Sequence, residues 1–355
     1  YSVRAQRYQP QNFHGLIASE KNERGKEVLW TLTWPDYCGE VFPCTTDPSD
    51  GVTAQWHLTL ADDQGIVVAN GRRDEVTPGP TAGTSTHHFV LETEAPTYAL
   101  AFTVGDYVVD EGGISADGVR FTSYTFPADR ETAIGIWSVI PAGLDFFGAT
   151  LGPYRFGEDF SLVEAEFLLG GMEHVTMPFI GRFDTVQIEL QSTVIHELSH
   201  HWWGDGVRIR YWADFWLSEG FAEYAMARFY RAYEGEERFF EILDEFKLLA
   251  VSAMEDDPHP VRPPEDDIDV LEIFDSIPYR MGAWVLRMLE VRLGTETFDA
   301  LLTEWFETHF AQAVETEELL SAVNRVSGAD YTPFFEQWVY TAEIPQVTVR
   351  FSTNG

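Results

Sequence analysis

Apolar and polar positions alternate along the first third of the chain. Trp30-Thr31-Leu32-Thr33-Trp34, residues 53–60 and residues 66–69 carry the period of two expected of strands with one packed and one wet face. Turn residues separate them, at Asp47-Pro48-Ser49-Asp50-Gly51, at Asn70-Gly71 and in a Pro-Gly-Pro at 78–80. Short strands punctuated in this way predict an antiparallel, sandwich-like β domain over residues 1–126. From about Pro127 the spacing turns helical. Residues 221–251 predict one long helix or two. Residues 281–293 predict another that stops at Gly294, and residues 317–326 a third that stops before Gly328. A Pro- and Asp-rich loop is expected over 256–269, and a second domain over 127–342. The alternation returns in Gln346-Val347-Thr348-Val349-Arg350-Phe351, so residues 343–355 are expected to begin a further β segment.

Composition narrows the possible partners. Apolar residues are 45% and aromatics 14% of the 355 residues, enough for packed cores. The formal net charge is −35, and a surface so acidic repels phosphate backbones, which excludes nucleic-acid binding through a general basic face. Such a carboxylate density fits either a biased lineage composition or adaptation to salty surroundings. No uninterrupted apolar run reaches the 18 or so residues that cross a bilayer, so no membrane span is expected. The two cysteines, Cys38 and Cys44, fit either a small disulfide loop in an oxidising compartment or two free thiols beside a turn. The start at Tyr1-Ser2-Val3 reads as a trimmed chain whose targeting signal is not in view. An extracytoplasmic location, periplasmic or secreted, is favoured over a cytoplasmic one.

The chemistry concentrates in His196-Glu197-Leu198-Ser199-His200. On a helix, positions four apart lie about 40° apart around the axis, so both imidazoles leave from one face. That geometry suits two nitrogen donors to one zinc ion, with Glu197 on the side where a bound water would lie. A catalytic zinc site needs a third protein donor and one open position. Glu219 follows His200 with eighteen residues between, inside Trp216-Leu217-Ser218-Glu219-Gly220-Phe221-Ala222-Glu223-Tyr224. A second helix starting near Ser218 brings Glu219 to the metal. It puts Glu223 one turn further on, where it can accept the other ring N–H of a ligand histidine. His201 lies about 100° round the helix from His200 and reads as a packing or surface residue. Trp202, Trp203, Trp212 and Trp216 read as core around these helices.

The stretch His-Glu-Leu-Ser-His-His-Trp-Trp-Gly-Asp, followed by Trp-Leu-Ser-Glu-Gly-Phe-Ala-Glu-Tyr, resembles the M1 family of zinc metallopeptidases, the gluzincin aminopeptidases. Gly170-Gly171-Met172-Glu173-His174 is similar to that family's Gly-x-Met-Glu-Asn motif. Pro278-Tyr279-Arg280-Met281-Gly282 is similar to the segment that carries its catalytic tyrosine. Phe42-Pro43-Cys44 and residues 96–107 resemble its N-terminal β domain, and residues 334–339 the end of its catalytic domain. The resemblance covers the chain from about residue 30 onward. It implies an α+β protein of two domains, a β-sandwich-like one followed by a thermolysin-like, mostly helical one. It implies one Zn2+ held by His196, His200 and Glu219, with Glu197 as general base and Tyr279 stabilising the oxyanion. Glu173 would bind the free α-amine of a peptide, with Gly170, Gly171, Met172 and His174 beside the substrate and Glu223 behind a ligand histidine. The implied activity is removal of single residues from peptide N-termini. Alternatives are a zinc endopeptidase or other zinc hydrolase of the same fold, and a non-catalytic M1-like binding module. Two positions depart from the family pattern: His174 stands where Asn is usual, and Trp34 where the β domain often supplies Gln.

Overall fold

The computed structural model describes residues 4–9, 14–20, 26–166, 170–181, 190–266, 268–344 and 348–350. Its strands are β1 (Gln6–Arg7), β2 (Gly15–Ala18), β3 (Leu29–Leu32), β4 (Gly51–Ala61), β5 (Ile66–Ala69), β6 (Arg72–Pro78), β7 (Thr84–Pro96), β8 (Phe102–Gly105), β9 (Val108–Ile114), β10 (Arg120–Thr125), β11 (Asp159–Ala165), β12 (Gly171–Met172), β13 (Phe179–Gly181), β14 (Arg208–Ile209) and β15 (Ala313–Val314). The helices are α1 (Arg130–Trp137), α2 (Ile140–Thr150), α3 (Leu190–Ser199), α4 (Trp216–Tyr233), α5 (Glu236–Asp256), α6 (Gly282–Leu293), α7 (Thr295–His309), α8 (Thr316–Ser327) and α9 (Thr332–Trp338).

Two sheets form the front of the molecule. One runs β1-β2-β3-β8-β5, and the other β4-β7-β6. Along β4 the more covered and more exposed positions alternate, as the sequence pattern predicts for a sheet with one wet face. Val67, Ala69, Phe89 and Val104 pack between the two sheets, with Trp56, Leu58 and Phe102 against them. Cys38 and Cys44 are joined in a disulfide just after β3, which settles the alternatives left open by their spacing.

A third sheet, β12-β13-β11-β10-β9, lies under the helices. The boundary expected at residue 126 passes through it: β9 and β10 precede that point, and β10 hydrogen-bonds both with β9 and with β11 beyond it. β10 and β11 pair in parallel, as do β11 and β13. Parallel strands need a crossover, and here α1 and α2 provide it. Residues 130–150, which span α1 and α2, are apolar enough in length and composition to be considered for a membrane crossing. In the fold the stretch breaks between Trp137 and Ile140, and Ala133, Trp137, Ile140, Leu144 and Phe147 are buried.

The helical expectations resolve as two helices, α4 and α5, over the 221–251 region, and as α6 and α8 further on. Gly294 and Gly328 follow α6 and α8 with φ of 80° and 66°, the conformation that glycine tolerates best. The strand expected over 346–351 lies mostly outside the described residues, and 348–350 carry no regular structure.

Backbone contact without side chains sets the depth of the helical layer. A Cβ on Gly220 would lie 2.9 Å from Gly282 Cα and 3.0 Å from the Pro278 carbonyl oxygen. Two glycines thus let α4 press against the start of α6. Gly220→Ala is expected to force the helices apart, with a cost of about 1–3 kcal/mol. Urea denaturation should show the loss as a lower midpoint with an unchanged slope.

Candidate active site

α3 is buried over its second half, and His196, Glu197 and His200 are each at least nine-tenths covered. α4 crosses it and contributes Glu219 from its first turn. The His196 and His200 Nε2 atoms are 3.0 Å apart, and Glu219 Oε2 is 3.2 Å from the first and 3.4 Å from the second. Donors about 2.0–2.1 Å from one tetrahedral ion sit roughly 3.3 Å from each other, so these three atoms have the spacing of one face of a metal tetrahedron. The ring orientations agree with this. His200 Nδ1–H donates to the Trp203 carbonyl at 2.9 Å, and His196 Nδ1 lies 3.3 Å from Glu223 Oε1, so both Nε2 lone pairs face the cluster. The donor set therefore fits a divalent ion such as zinc.

Charge leads to the same conclusion. Donor atoms of Glu173, Glu197 and His200 also lie within 4.8 Å of one another, so three carboxyls share one buried space. Burial pushes the Glu173 carboxyl up to about 7, and the Glu219 carboxylate adds to this while His200 opposes it. Burial drives Glu197 well above the usual range, with Glu173 and Glu219 adding to the shift. Glu219 goes the other way, to about 2, because His200 and His196 outweigh its burial. Burial lowers the His196 imidazole to about 4, the neutral state a metal donor needs. A cation at the His196–His200–Glu219 face balances the surplus negative charge.

Gly171 explains how Glu197 fits. A Cβ at that position would lie 2.5 Å from the Glu197 carboxylate, so only glycine leaves room. β12, which carries Gly171 and Met172, is the outer strand of its sheet among the described residues and pairs there with β13. Gly170 precedes it at φ 66° and accepts a hydrogen bond from Gly181 N–H at 2.9 Å. Phe167, Leu168 and Leu169, which lead into this stretch, lie outside the described residues.

Tyr279 sits on a π-helical turn, Ile277–Met281. Its ring lies 16° from parallel to the His196 ring at 6.3 Å, with Phe215 and Phe274 edge-on to it at 5.6 and 5.9 Å. Burial, with Glu219, Glu173 and Glu197 nearby, drives the phenol well above its ordinary value, so it remains a hydrogen-bond donor. Trp34 closes this wall from the β domain, 5.0 Å from Phe274 and 6.1 Å from Phe215.

Two further histidines are buried near these groups. His174 is fully buried, edge-on to Phe179 at 4.6 Å, and burial lowers it to about 3 against the pull of the Ala99 carbonyl. It follows Glu173 directly in the chain and packs against Phe179. His201 is core as well, yet it also serves the backbone: its Nε2 accepts the Thr176 N–H at 2.8 Å. Sequence reasoning missed Arg280. It pairs with Glu223 and stacks on Phe246 at 4.8 Å, tying the tyrosine turn to the carboxylate behind His196. A buried Glu on one helix and a lone Arg beside the tyrosine were the available signals.

Two crossed helices that converge two imidazoles and a carboxylate, with spare carboxyls and a tyrosine around them, define a scaffold for one metal ion beside a peptide-sized edge strand. The profile described as the Peptidase family M1 domain matches residues 143–338, more than half of the chain. The chain belongs to peptidase family M1. It is 30% identical over 296 residues to aminopeptidase N of Streptomyces lividans, covering 78% of this chain and 34% of that protein. It is 26% identical over 343 residues to aminopeptidase N of Mus musculus, covering 88% and 35%. Among solved structures, the M1 zinc metallopeptidase from Deinococcus radiodurans superposes with a TM-score of 0.77 at 25% identity, covering 90% of this chain and 71% of that one. A two-domain M1 zinc metallopeptidase solved with L-arginine, at 24% identity and a TM-score of 0.78, shares the fold. The chain spans between 34% and 41% of the length of the curated relatives it matches.

Glu223→Gln keeps the shape behind His196 but removes the charge that faces its ring. Metal affinity should fall about 10- to 100-fold. Competition with a chromophoric chelator would measure it, and unchanged affinity would remove Glu223 from this role.

Proposed function

We propose that the chain is the catalytic part of a zinc-dependent aminopeptidase that hydrolyses the N-terminal peptide bond of peptides. The observation that carries this reading is the buried Glu173 carboxyl held beside both Glu197 and His200. It is an end-stop for a protonated α-amine, whose charge would favour the ionised carboxylate, with its oxygen within 4.8 Å of a His200 ring nitrogen. Family membership and the names of the relatives support it.

His196, His200 and Glu219 would hold the ion, and a zinc ion there would supply Lewis acidity to the attacking water and the scissile carbonyl. Glu197 takes a proton from the attacking water as its oxygen bonds to the scissile carbonyl carbon. The Tyr279 hydroxyl donates to the carbonyl oxygen as negative charge builds there. Glu197 then returns the proton to the departing nitrogen as the C–N bond breaks. Glu173 binds the substrate ammonium, which costs least when the two groups pair in the same buried space. An extended peptide would lie along β12 on the side away from β13. With metal donors, base, amine site and tyrosine all present, a non-catalytic role has no observation in its favour. An extracytoplasmic location is part of this proposal, supported by the Cys38–Cys44 disulfide.

Glu197→Gln should retain one zinc per chain by metal analysis and lose several orders of magnitude in kcat. A near-normal rate would overturn its role as base. A free-amine peptide should be cut at least about 100-fold faster than its N-acetylated form, because the blocked end leaves the Glu173 carboxyl unpaired. Equal rates on the two peptides, compared by mass spectrometry of the products, would rule out amine recognition.

A further inference from the structure

Behind the tyrosine turn lies a polar pair that the proposed chemistry does not use. His259 follows α5 in the 257–269 loop and is largely covered. Its Nε2 lies 3.0 Å from Asp275 Oδ2 and its Nδ1 2.8 Å from the Pro260 carbonyl oxygen. Both ring nitrogens therefore face acceptors, and only the doubly protonated ring donates to both. The other Asp275 oxygen, Oδ1, accepts the Ile277 backbone N–H at 2.6 Å, and Asp275 N–H donates to the Ile273 carbonyl at 3.0 Å. Ile277 is the first residue of the turn that carries Tyr279. A continuous path thus runs from the His259 ring through the Asp275 carboxylate and the Ile277 amide to the phenol beside His196.

We propose that His259 and Asp275 are positioning residues for Tyr279: the imidazole anchors the carboxylate, and the carboxylate fixes the first amide of the tyrosine's turn. This rests on the reading of Tyr279 as the donor to the developing oxyanion. The contacts shown for the pair reach the site through the turn that carries Tyr279, and none is to a metal donor. A π-turn is a poorly hydrogen-bonded element, and one amide held from outside limits how far its residues drift. A displacement near 1 Å at the phenol is enough to cost about 100-fold in rate.

The pair also gives the rate a dependence on pH. Asp275 and Asp257 are the charged groups facing the imidazole, and together with the Asp275 and Pro260 hydrogen bonds they outweigh burial, so its pKa lies above the ordinary value. Such a group contributes while it is protonated and loses its effect as pH rises through its folded pKa. The positioning effect is therefore present at acid and neutral pH and fades on the alkaline side.

The test uses the full zinc-loaded chain, an aminoacyl anilide substrate, and His259→Leu, His259→Gln and Asp275→Asn, each made alone and with Tyr279→Phe. In the wild-type background His259→Leu should lower kcat about 10-fold with KM, zinc content and melting temperature nearly unchanged. His259→Gln keeps a donor and should restore most of the rate while flattening the alkaline decline. Asp275→Asn should lose less than the two changes' product when combined with His259→Leu, because they act on one path. In the Tyr279→Phe background His259→Leu should cost nothing further. A wild-type kcat for His259→Leu overturns the proposal, as does a loss that multiplies unchanged onto Tyr279→Phe or one explained by lost zinc or unfolding. If Tyr279→Phe alone keeps full kcat, the tyrosine's assigned role fails first and the positioning proposal fails with it.

Discussion

Everything in the helical half is arranged around the crossing of α3 and α4, which holds two imidazole nitrogens and one carboxylate oxygen within 3.0–3.4 Å of one another. With both Nε2 atoms unprotonated, as a metal donor set requires, three such groups repel one another in a buried space. The surrounding structure has to enforce the approach. The glycine contact between α4 and the start of α6 sets one depth, and the Trp203 carbonyl and Glu223 set the two ring angles. The packing is therefore organised to tolerate a local concentration of donors that a cation would relieve.

The same constraint extends outward to the groups around the three donors. Gly171 gives up a side chain so that Glu197 can lie against the outer strand of its sheet. Arg280 neutralises Glu223 and in doing so joins the tyrosine turn to the histidine behind it. Trp34 reaches over from the front sheets to the aromatic wall around Tyr279. Each of these contacts couples the position of a reactive group to a rigid element, as a site requiring fixed geometry needs.

Much of this is legible in the sequence because it is local. The spacing of His196 and His200 follows from helical periodicity alone, and Glu219 and Glu223 fall on one face of a helix whose apolar stripe is plain in the sequence. The period-two runs at Trp30 and Ile66 likewise became strands. Less legible were the pairings that depend on distant chain. β9 and β10 look like their antiparallel predecessors, and only a parallel partner some 40 residues later assigns them to the third sheet. His174 carries no local mark of whether it faces solvent or Phe179. The helical angle of His201 points it into packing, but the backbone amide it serves belongs to a residue 25 positions earlier. Non-local hydrogen bonds are what one sequence conceals.

Asn70 carries a wider implication. Its amide donates to the Val175 and Ala99 carbonyls, and Gly71 N–H reaches Thr176 Oγ1 at 2.8 Å, while Thr176 itself is held at φ 66°. Residues at the end of β5 thus stitch down the loop immediately following Glu173. The smallest piece able to keep that carboxyl in register is consequently larger than the stretch matched by the family profile. The front sheets are a jig for the back half, and the seam between the two halves is itself part of the working machinery.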